Sequence, residues 1–178
     1  MKTEHTMSKT DYPRLYAKMS AHPKILAVMK GAQLLMTVLV ALAYLYYMVL
    51  TVIFADLPGI LTAATVSAVP FVAVSLMRSR LGGKRPYEVY TLSSLGMELP
   101  EHGGGRSFPS RHTFSAALIG VILLPDMIYV GIAVLVLWIL ISVSRVLLGI
   151  HFIRDVVAGS VIGLVCGAVG ALCIKFLV

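Results

Sequence analysis

The chain has 178 residues, 58% of them hydrophobic, and its mean hydropathy is +0.91. This composition excludes the ordinary soluble globular class, and the length suits one domain. The formal charge of +7 is concentrated in the N-terminal tail and around residues 78–111 and 144–154, which indicates anionic partners such as a lipid surface or a phosphate. Because no soluble basic domain remains once the apolar runs are removed, nucleic acid is not an expected partner.

The N-terminal segment, residues 1–30, is basic. Within it, residues 11–30 mix tyrosine and aliphatic side chains with lysine and arginine, a pattern typical of an amphipathic helix at the membrane surface. The segment has no compact apolar core closed by a cleavage site, so the first apolar run is interpreted as a retained span rather than a signal peptide. We therefore predict a basic amphipathic segment at 1–30 and a transmembrane domain at 31–178.

Five apolar segments follow this tail. Crossing the hydrocarbon layer takes roughly 20 apolar residues in a helix. The segment between His112 and Pro125 is shorter and alone would suit a buried core helix, but the Pro-Asp turn after it favours one arm of a membrane hairpin. The predicted spans are 31–55, 57–77, 113–125, 127–143 and 156–174. The predicted fold class is all-α, a polytopic membrane helical bundle of about five transmembrane helices.

An odd number of spans places the tail, the loop at 78–111 and the turn at 144–155 on one membrane face. The loop is rich in glycine and proline, which is typical of a functional loop. The opposite face receives Asp56, Asp126 and Lys175. By the positive-inside rule the lysine-rich tail is cytoplasmic, and the polar face with it, unless the tail holds a further crossing.

Three polar clusters meet on the first face. The sequence RSRLGGKRP supplies Arg78, Arg80, Lys84 and Arg85; SFPSRHTFS supplies Ser110, Arg111 and His112; and SRVLLGIHFIRD supplies Arg145, His151 and Asp155. Taken singly, each cluster has a plain explanation: a topology signal, a helix cap with a neutral histidine, or a snorkelling arginine beside an ion pair. Taken together, two histidines, one acidic partner, convergent arginines and a helix N-terminus indicate phosphate chemistry.

The third cluster suggests a nucleophile. His151 and Asp155 are four residues apart, so on a helix they share a face, and the carboxylate can fix the imidazole tautomer and leave the other nitrogen free. Arg145 offers a fork of donors matched to phosphate oxygens, and the short connection after it is expected to fold back toward His151. In the second cluster, Ser110 is a predicted N-cap, and His112 stands in the first turn of the helix, where an anion would bind.

The order of the three clusters resembles the signature of the type 2 phosphatidic acid phosphatase family: Lys-x6-Arg-Pro, then Pro-Ser-Gly-His, then Ser-Arg-x5-His-x3-Asp. In this chain the parts read RSRLGGKRP, PSRH and SRVLLGIHFIRD, the third matches in full, and the resemblance covers residues 57–175. It implies a helical membrane bundle with its site at one membrane face. It also implies removal of phosphate from lipid phosphates through a phosphohistidine, with no metal ion and no cofactor.

By the same resemblance, His151 is the nucleophile, Asp155 orients it, and His112 protonates the departing lipid oxygen. The groups implied to hold the phosphoryl oxygens are Arg78, Arg85, Ser110, Arg111 and Arg145, with Lys84 and Arg80 as additional candidates. The chain departs from the signature at two positions. Arg78 replaces a lysine and Arg111 replaces a glycine, which bears on substrate choice more than on the reaction.

The expected substrate is a lipid phosphomonoester such as phosphatidic acid or phosphatidylglycerophosphate, in a multi-pass protein of the cell membrane. Undecaprenyl diphosphate is the alternative substrate within the family. An extracytoplasmic active face is the alternative orientation, because the active site of many bacterial relatives faces outward. A non-catalytic protein that binds or transports anionic lipids is a further alternative, although transport favours polar groups at mid-membrane and the spans are apolar. His5 and His102 lack partners at metal-ligand spacing, so no metal site is expected.

The last span carries a row of small residues, Gly159, Gly163 and Gly167, that would let another helix approach closely. Packing within the bundle is the favoured interpretation, and a homodimer through this row is the alternative. Cys166 and Cys173 lie in the same span and are interpreted as buried small apolar residues.

Overall fold

The computed structural model describes residues 22–89 and 106–177. Within these ranges the chain forms five helices and one short helical turn, with no strand. They are α1 (Pro23–Phe54), α2 (Leu57–Leu81), the turn α3 (Pro86–Val89), α4 (Arg111–Leu123), α5 (Ile128–Leu147) and α6 (Ile153–Leu177). The predicted all-α bundle is confirmed, and the loop predicted at 78–111 is described only at its two ends.

Four of the helices, α1, α2, α5 and α6, are long and apolar enough to cross a membrane. Lipid offers no partners to backbone N–H and C=O groups, and a helix pairs these groups with one another along its own length. The outer surfaces of these helices expose large aliphatic side chains such as Leu45, Val72, Val136 and Val165. Such surfaces suit contact with hydrocarbon, and the chain is an integral membrane protein.

The helix α4 is the short one, and it lies inside the bundle. Its 13 residues extend only about 20 Å at 1.5 Å per residue, less than a full span needs. Phe114, Ala117 and Leu123 are completely buried. They are buried because α4 packs against both α6 and α5, and these two helix contacts are the most extensive among the described helices. The segment predicted as the fifth span is thus a short helix inside the bundle, buried as its length suggested.

The glycine row of α6 makes this close packing possible. A Cβ atom at Gly159 would lie 2.5 Å from the backbone oxygen of Ser110, and one at Gly163 would lie 2.5 Å from that of Phe114. The row therefore faces α4 inside the bundle, as the packing interpretation predicted. The alternative homodimer through this row is not supported, because the face is already occupied.

The helix α1 begins at Pro23, a residue that suits the first turn of a helix, and not at the predicted residue 31. Residues 23–30 continue the spanning helix, since the run from Ile25 to Met29 is apolar and the exposed Lys24 and Lys30 can extend along the helix surface toward water. The predicted boundary between 30 and 31 therefore falls inside α1. The remainder of the predicted amphipathic segment, residues 11–21, lies outside the described residues.

Helix ends gather at two opposite ends of the bundle. One end holds the C-termini of α2 and α5 and the N-termini of α4 and α6, and is called the polar end below. At the other end, called the opposite end, a cavity of about 720 Å³ is lined by residues that include Asp126 and Lys175, and Asp56 caps α2 through a 2.9 Å bond from the backbone N–H of Gly59. The predicted alternation of the helices is confirmed.

Candidate active site

His151 and Asp155 form a buried pair at the start of α6. The side chains are 2% and 0% exposed, and Nδ1 of His151 lies 3.6 Å from Oδ2 of Asp155. The same carboxylate oxygen accepts a 3.1 Å bond from the backbone N–H of Phe152, the residue before the helix, so it also caps the first turn. The predicted pair is brought together, although His151 precedes the helix instead of sharing a face of it.

Ser107 is part of this pair, and nothing in the sequence pattern singled it out. Its buried hydroxyl donates to Oδ2 of Asp155 and lies 3.3 Å from Nδ1 of His151, from which it can accept a hydrogen bond. Its backbone N–H donates to the carbonyl of Gly83 at 3.0 Å. A serine in a loop is ordinary, and only the folded segment 106–110 reveals that this one stands between the imidazole and the carboxylate.

The connection between α5 and α6 folds back on Arg145, as predicted. The backbone oxygen of Arg145 accepts bonds from the N–H groups of Ile150 at 3.1 Å and His151 at 3.2 Å. Gly149, with φ of +70°, adopts the left-handed conformation that this reversal requires and that glycine tolerates. The turn thus ties the candidate nucleophile to the arginine at the end of α5.

The Arg145 side chain meets a residue that the sequence did not indicate, Gln33 of α1. With the amide oriented so that its oxygen faces the guanidinium, that oxygen accepts from Nη2 at 3.0 Å, from Nη1 at 3.3 Å and from Nε. Gln33 is 6% exposed. An α1 residue therefore reaches the polar end of the bundle.

Arg78 is buried in the last turn of α2. Its Nη1 donates to the backbone oxygens of Pro109 at 3.0 Å and Ser107 at 3.4 Å, so it braces the segment that leads into α4. The positive charges of Arg78, Arg85 and Arg145 lie close enough to repel one another. An anion bound among them would relieve that repulsion and gain charge-assisted hydrogen bonds.

The remaining basic residues of the first cluster differ in placement. Arg85 is half-buried, and its backbone N–H donates to Oε2 of Glu88 at 2.7 Å. Arg80 and Lys84 are exposed. The structure therefore brings Arg78 and Arg85 into the cluster and leaves the two additional candidates at its surface.

Ser110 starts α4 but does not cap it in the predicted manner. Its Oγ lies 3.0 Å from Oγ1 of Thr113 and makes no bond to a backbone N–H of the first turn. Ser110 is therefore the N-cap residue of α4, as predicted, but its hydroxyl pairs with Thr113 and not with a backbone N–H. The backbone N–H of Ser110 instead donates to the carbonyl of Asp155 at 3.0 Å, which ties the starts of α4 and α6 together. The positive end of the helix dipole is thereby held beside the pair.

Arg111 and His112 lie in the first turn of α4, where both are exposed, at one edge of a cleft of about 300 Å³. Desolvation by the surrounding protein lowers the pKa of His112, and the nearby charges of Arg145 and His151 lower it further, so the two histidines lie at the same site. Beyond this edge the lining is mainly apolar. It consists of Thr37, Val40 and Ala41 from α1, Phe71 from α2, Ser115, Ala116 and Ile119 from α4, and Ile141 from α5. The three predicted clusters do converge, and a cleft between membrane helices opens beside them.

The surroundings of His151 keep its imidazole neutral. Burial lowers the pKa of His151 below the ordinary histidine value, the charge of Arg145 lowers it further, and the hydrogen bond with Asp155 only partly offsets this. A neutral imidazole has one nitrogen with a free electron pair, so the residue is suited to nucleophilic attack. Within residues 22–89 and 106–177, no three His, Cys, Asp or Glu side chains come together in a way that could hold a metal ion.

The chain is similar to one protein family and to two solved membrane proteins. A family model described as the PAP2 superfamily matches residues 40–177. The fold is similar to that of a transmembrane PAP2-type phosphatidylglycerolphosphate phosphatase from Bacillus subtilis, at 22% identity and a TM-score of 0.62 over 96% of this chain and 86% of that one. It is also similar to LpxE from Aquifex aeolicus, at 22% identity and a TM-score of 0.58 over 83% and 92% of the two chains. Among curated proteins, none matches the sequence significantly.

Proposed function

The chain belongs to the PAP2 superfamily, and on that premise we propose that it is a membrane lipid-phosphate phosphatase that acts without a metal ion. The proposed reaction is hydrolysis of a phosphomonoester, such as phosphatidic acid or phosphatidylglycerophosphate, through a phosphohistidine. The observation that carries the proposal is the buried pair of His151 and Asp155 beside arginines, at the end of a membrane bundle where a cleft opens.

In the first step, Nε2 of His151 attacks phosphorus in line with the ester bond, so that a nitrogen–phosphorus bond forms while the bond to the lipid oxygen breaks. The choice of nitrogen follows from the geometry, since Nδ1 is turned toward Asp155 and Ser107. The imidazole gains positive charge during this attack, and the buried carboxylate stabilises that charge and keeps the ring oriented.

His112 handles the protons in both steps. In the first step the protonated form of His112, which the negative charge of the bound phosphate favours, donates to the departing lipid oxygen, and the freed lipid leaves with that proton. In the second step a water molecule attacks the phosphohistidine, neutral His112 takes the proton, and inorganic phosphate departs with the electron pair returning to His151. The exposed position of His112 at the cleft edge supports this role, because both the lipid oxygen and water can reach it.

The arginines stabilise the transition state. A transferring phosphoryl group spreads negative charge over three oxygens, so catalysis depends on fixed positive charge and correct placement. Arg78 and Arg85 supply that charge from the first cluster and Arg145 supplies it from the third, and a bound anion would relieve their mutual repulsion.

The cleft supports a lipid as the substrate, since an apolar lining that begins at His112 can accept a hydrocarbon chain whose phosphate lies among the arginines. A second candidate substrate is undecaprenyl diphosphate. Arg111 favours it, because this cation stands at the cleft edge where the family signature has a glycine, and it could bind a second phosphate.

The decisive experiment measures phosphate release by the purified protein in detergent, with a chelator present, from phosphatidic acid, phosphatidylglycerophosphate, undecaprenyl diphosphate and a water-soluble phosphomonoester. We expect release from at least one lipid, inhibition by vanadate as a phosphate mimic, and an acid-labile phosphate on His151. Binding of these lipids without release by the wild-type protein would instead indicate the non-catalytic alternative.

We further infer that the active face is cytoplasmic, because α1 begins at the polar end with Lys24 and Lys30 and the sequence before it is also basic. Protease access to tags placed in the tail and between residues 90 and 105, in inside-out and right-side-out vesicles, tests this inference. Cleavage of both tags only in right-side-out vesicles would place the site outside.

A further inference from the structure

The helix α1 carries a buried amide within an otherwise apolar membrane-spanning helix. Gln33 is 6% exposed and lies before residues 40–177, the part of the chain that the family model matches. A buried amide in apolar surroundings is destabilising unless it is hydrogen-bonded. With the amide oxygen turned toward Arg145, as the donors around it require, that oxygen accepts from the Arg145 guanidinium, with Nη2 at 3.0 Å and Nη1 at 3.3 Å.

The two partners reach each other from different helices. The backbone oxygen of Gln33 is engaged separately, by Oγ1 of Thr37 at 2.9 Å, so the side chain alone serves Arg145. Arg145 is already fixed at its backbone, where its carbonyl accepts from the N–H of His151 at 3.2 Å. The amide therefore adds the second constraint, on the long and otherwise flexible side chain that the proposed reaction uses.

An amide is chemically distinct from the carboxylate that an arginine usually pairs with. A carboxylate would bind the guanidinium more strongly, but it would also neutralise the charge that attracts a phosphate. A neutral oxygen orients the guanidinium and leaves its full charge for the anion. The placement of glutamine, and not glutamate, opposite Arg145 is thus what an anion site requires.

We propose that Gln33 is a positioning residue, which holds the Arg145 side chain in the orientation that receives the phosphoryl oxygens while leaving its charge uncompensated. This rests on the proposed phosphatase function. It makes α1 a part of the active site and not only a membrane anchor.

The test compares Gln33→Leu and Gln33→Glu with a matched control on the same helix, Thr51→Val. Among the described residues, the side chain of Thr51 bonds within α1 alone, through Oγ1 to the backbone oxygen of Tyr47 at 2.9 Å, and it lies toward the opposite end. The readouts are kcat and KM for the lipid phosphate, and the rise in Tm that orthovanadate produces in detergent, which reports anion binding without turnover.

We expect Gln33→Leu to lower kcat/KM about tenfold, as the loss of a hydrogen bond to a charged group does. Gln33→Glu should keep an unliganded Tm at or above that of the wild type, yet lose most of the vanadate stabilisation, because the carboxylate competes with the anion. Thr51→Val should match the wild type in both readouts. Vanadate stabilisation of the Gln33→Glu protein equal to that of the wild type would overturn the proposal.

A double-mutant cycle shows whether Gln33 acts through Arg145. In an Arg145→Ala background, Gln33→Leu should change the vanadate response by less than about twofold, since its partner is already gone. An equal effect in both backgrounds would assign Gln33 a structural role only. If the wild type binds vanadate but releases phosphate from no lipid, the proposed function fails while the vanadate comparison still decides on Gln33. If the wild type neither binds vanadate nor releases phosphate, both proposals fail.

Discussion

The two ends of the bundle contrast in how they treat polar groups. The opposite end has the larger cavity, about 720 Å³ against about 300 Å³ for the cleft at the polar end. Its charged residues Asp126 and Lys175 are exposed, whereas Arg78, His151 and Asp155 at the polar end are buried and hydrogen-bonded. Burying charge is unfavourable unless partners compensate it, so the buried cluster, and not the larger cavity, marks the place where a fold supports chemistry.

The strongest test of this contrast replaces one residue at each end. We expect His151→Ala to reduce phosphate release by at least roughly 10⁴-fold, because the nucleophile is lost. Asp126→Ala should stay within about twofold of the wild type, since an exposed side chain at the opposite end contacts no reacting group. Initial rates at saturating lipid phosphate measure both variants. Turnover retained in a folded His151→Ala protein would refute the nucleophile assignment.

The role of Ser107 sharpens the contrast within the polar end. Ser107→Ala removes the hydroxyl between Asp155 and His151, so we expect kcat to fall about tenfold, the effect of one buried hydrogen bond to a charged group. KM should not change, because the hydroxyl faces the pair. Ser142→Ala is the control, since within the described part of the chain the Ser142 hydroxyl bonds to the Trp138 carbonyl of its own helix alone. A raised KM with unchanged kcat would instead place Ser107 against the substrate.

The addition of one methyl group tests the close packing of α4 against α6. Gly159→Ala would place a Cβ 2.5 Å from the backbone oxygen of Ser110, so α4 must shift, and we expect destabilisation of about 1–3 kcal/mol together with lower activity. Gly31→Ala is the control, because the added Cβ would meet no atom of another described helix within 4 Å. The Tm of the two variants in detergent checks this. Equal values would show that α4 yields without strain.

The smallest expected effect concerns pH. Attack needs neutral His151, which is present above its pKa, and burial lowers that pKa, so the acid limb of kcat/KM should lie below the ordinary histidine value of about 6.5. Asp155→Asn removes a group that raises the pKa, so the limb should move to still lower pH while kcat falls. Ionisation of the substrate phosphate would contribute equally to the pH profiles of the wild type and of Asp155→Asn, so it would not change the difference between them. A limb that moves upward would contradict this assignment.

Much of the candidate site could be predicted because its parts are local in sequence. The pairing of His151 with Asp155 and the reversal at Gly149 both arise within one short stretch, and the position of His112 after Ser110 follows from the start of an apolar helix. Gln33 and Ser107 could not be predicted in the same way. Each acts on a residue far away along the chain, and each is a common residue type in its local setting.

The sequence by itself determined that the chain lies in a membrane, that its helices alternate in direction, and that its polar clusters lie at one end. These properties follow from the length and apolarity of the segments, since lipid allows few other arrangements. Only the tertiary structure decided that α4 is the inner helix, that the glycine row serves it, and which partners hold Arg145 and His151. Those outcomes depend on which side chains meet across helices, and hydropathy does not encode such contacts.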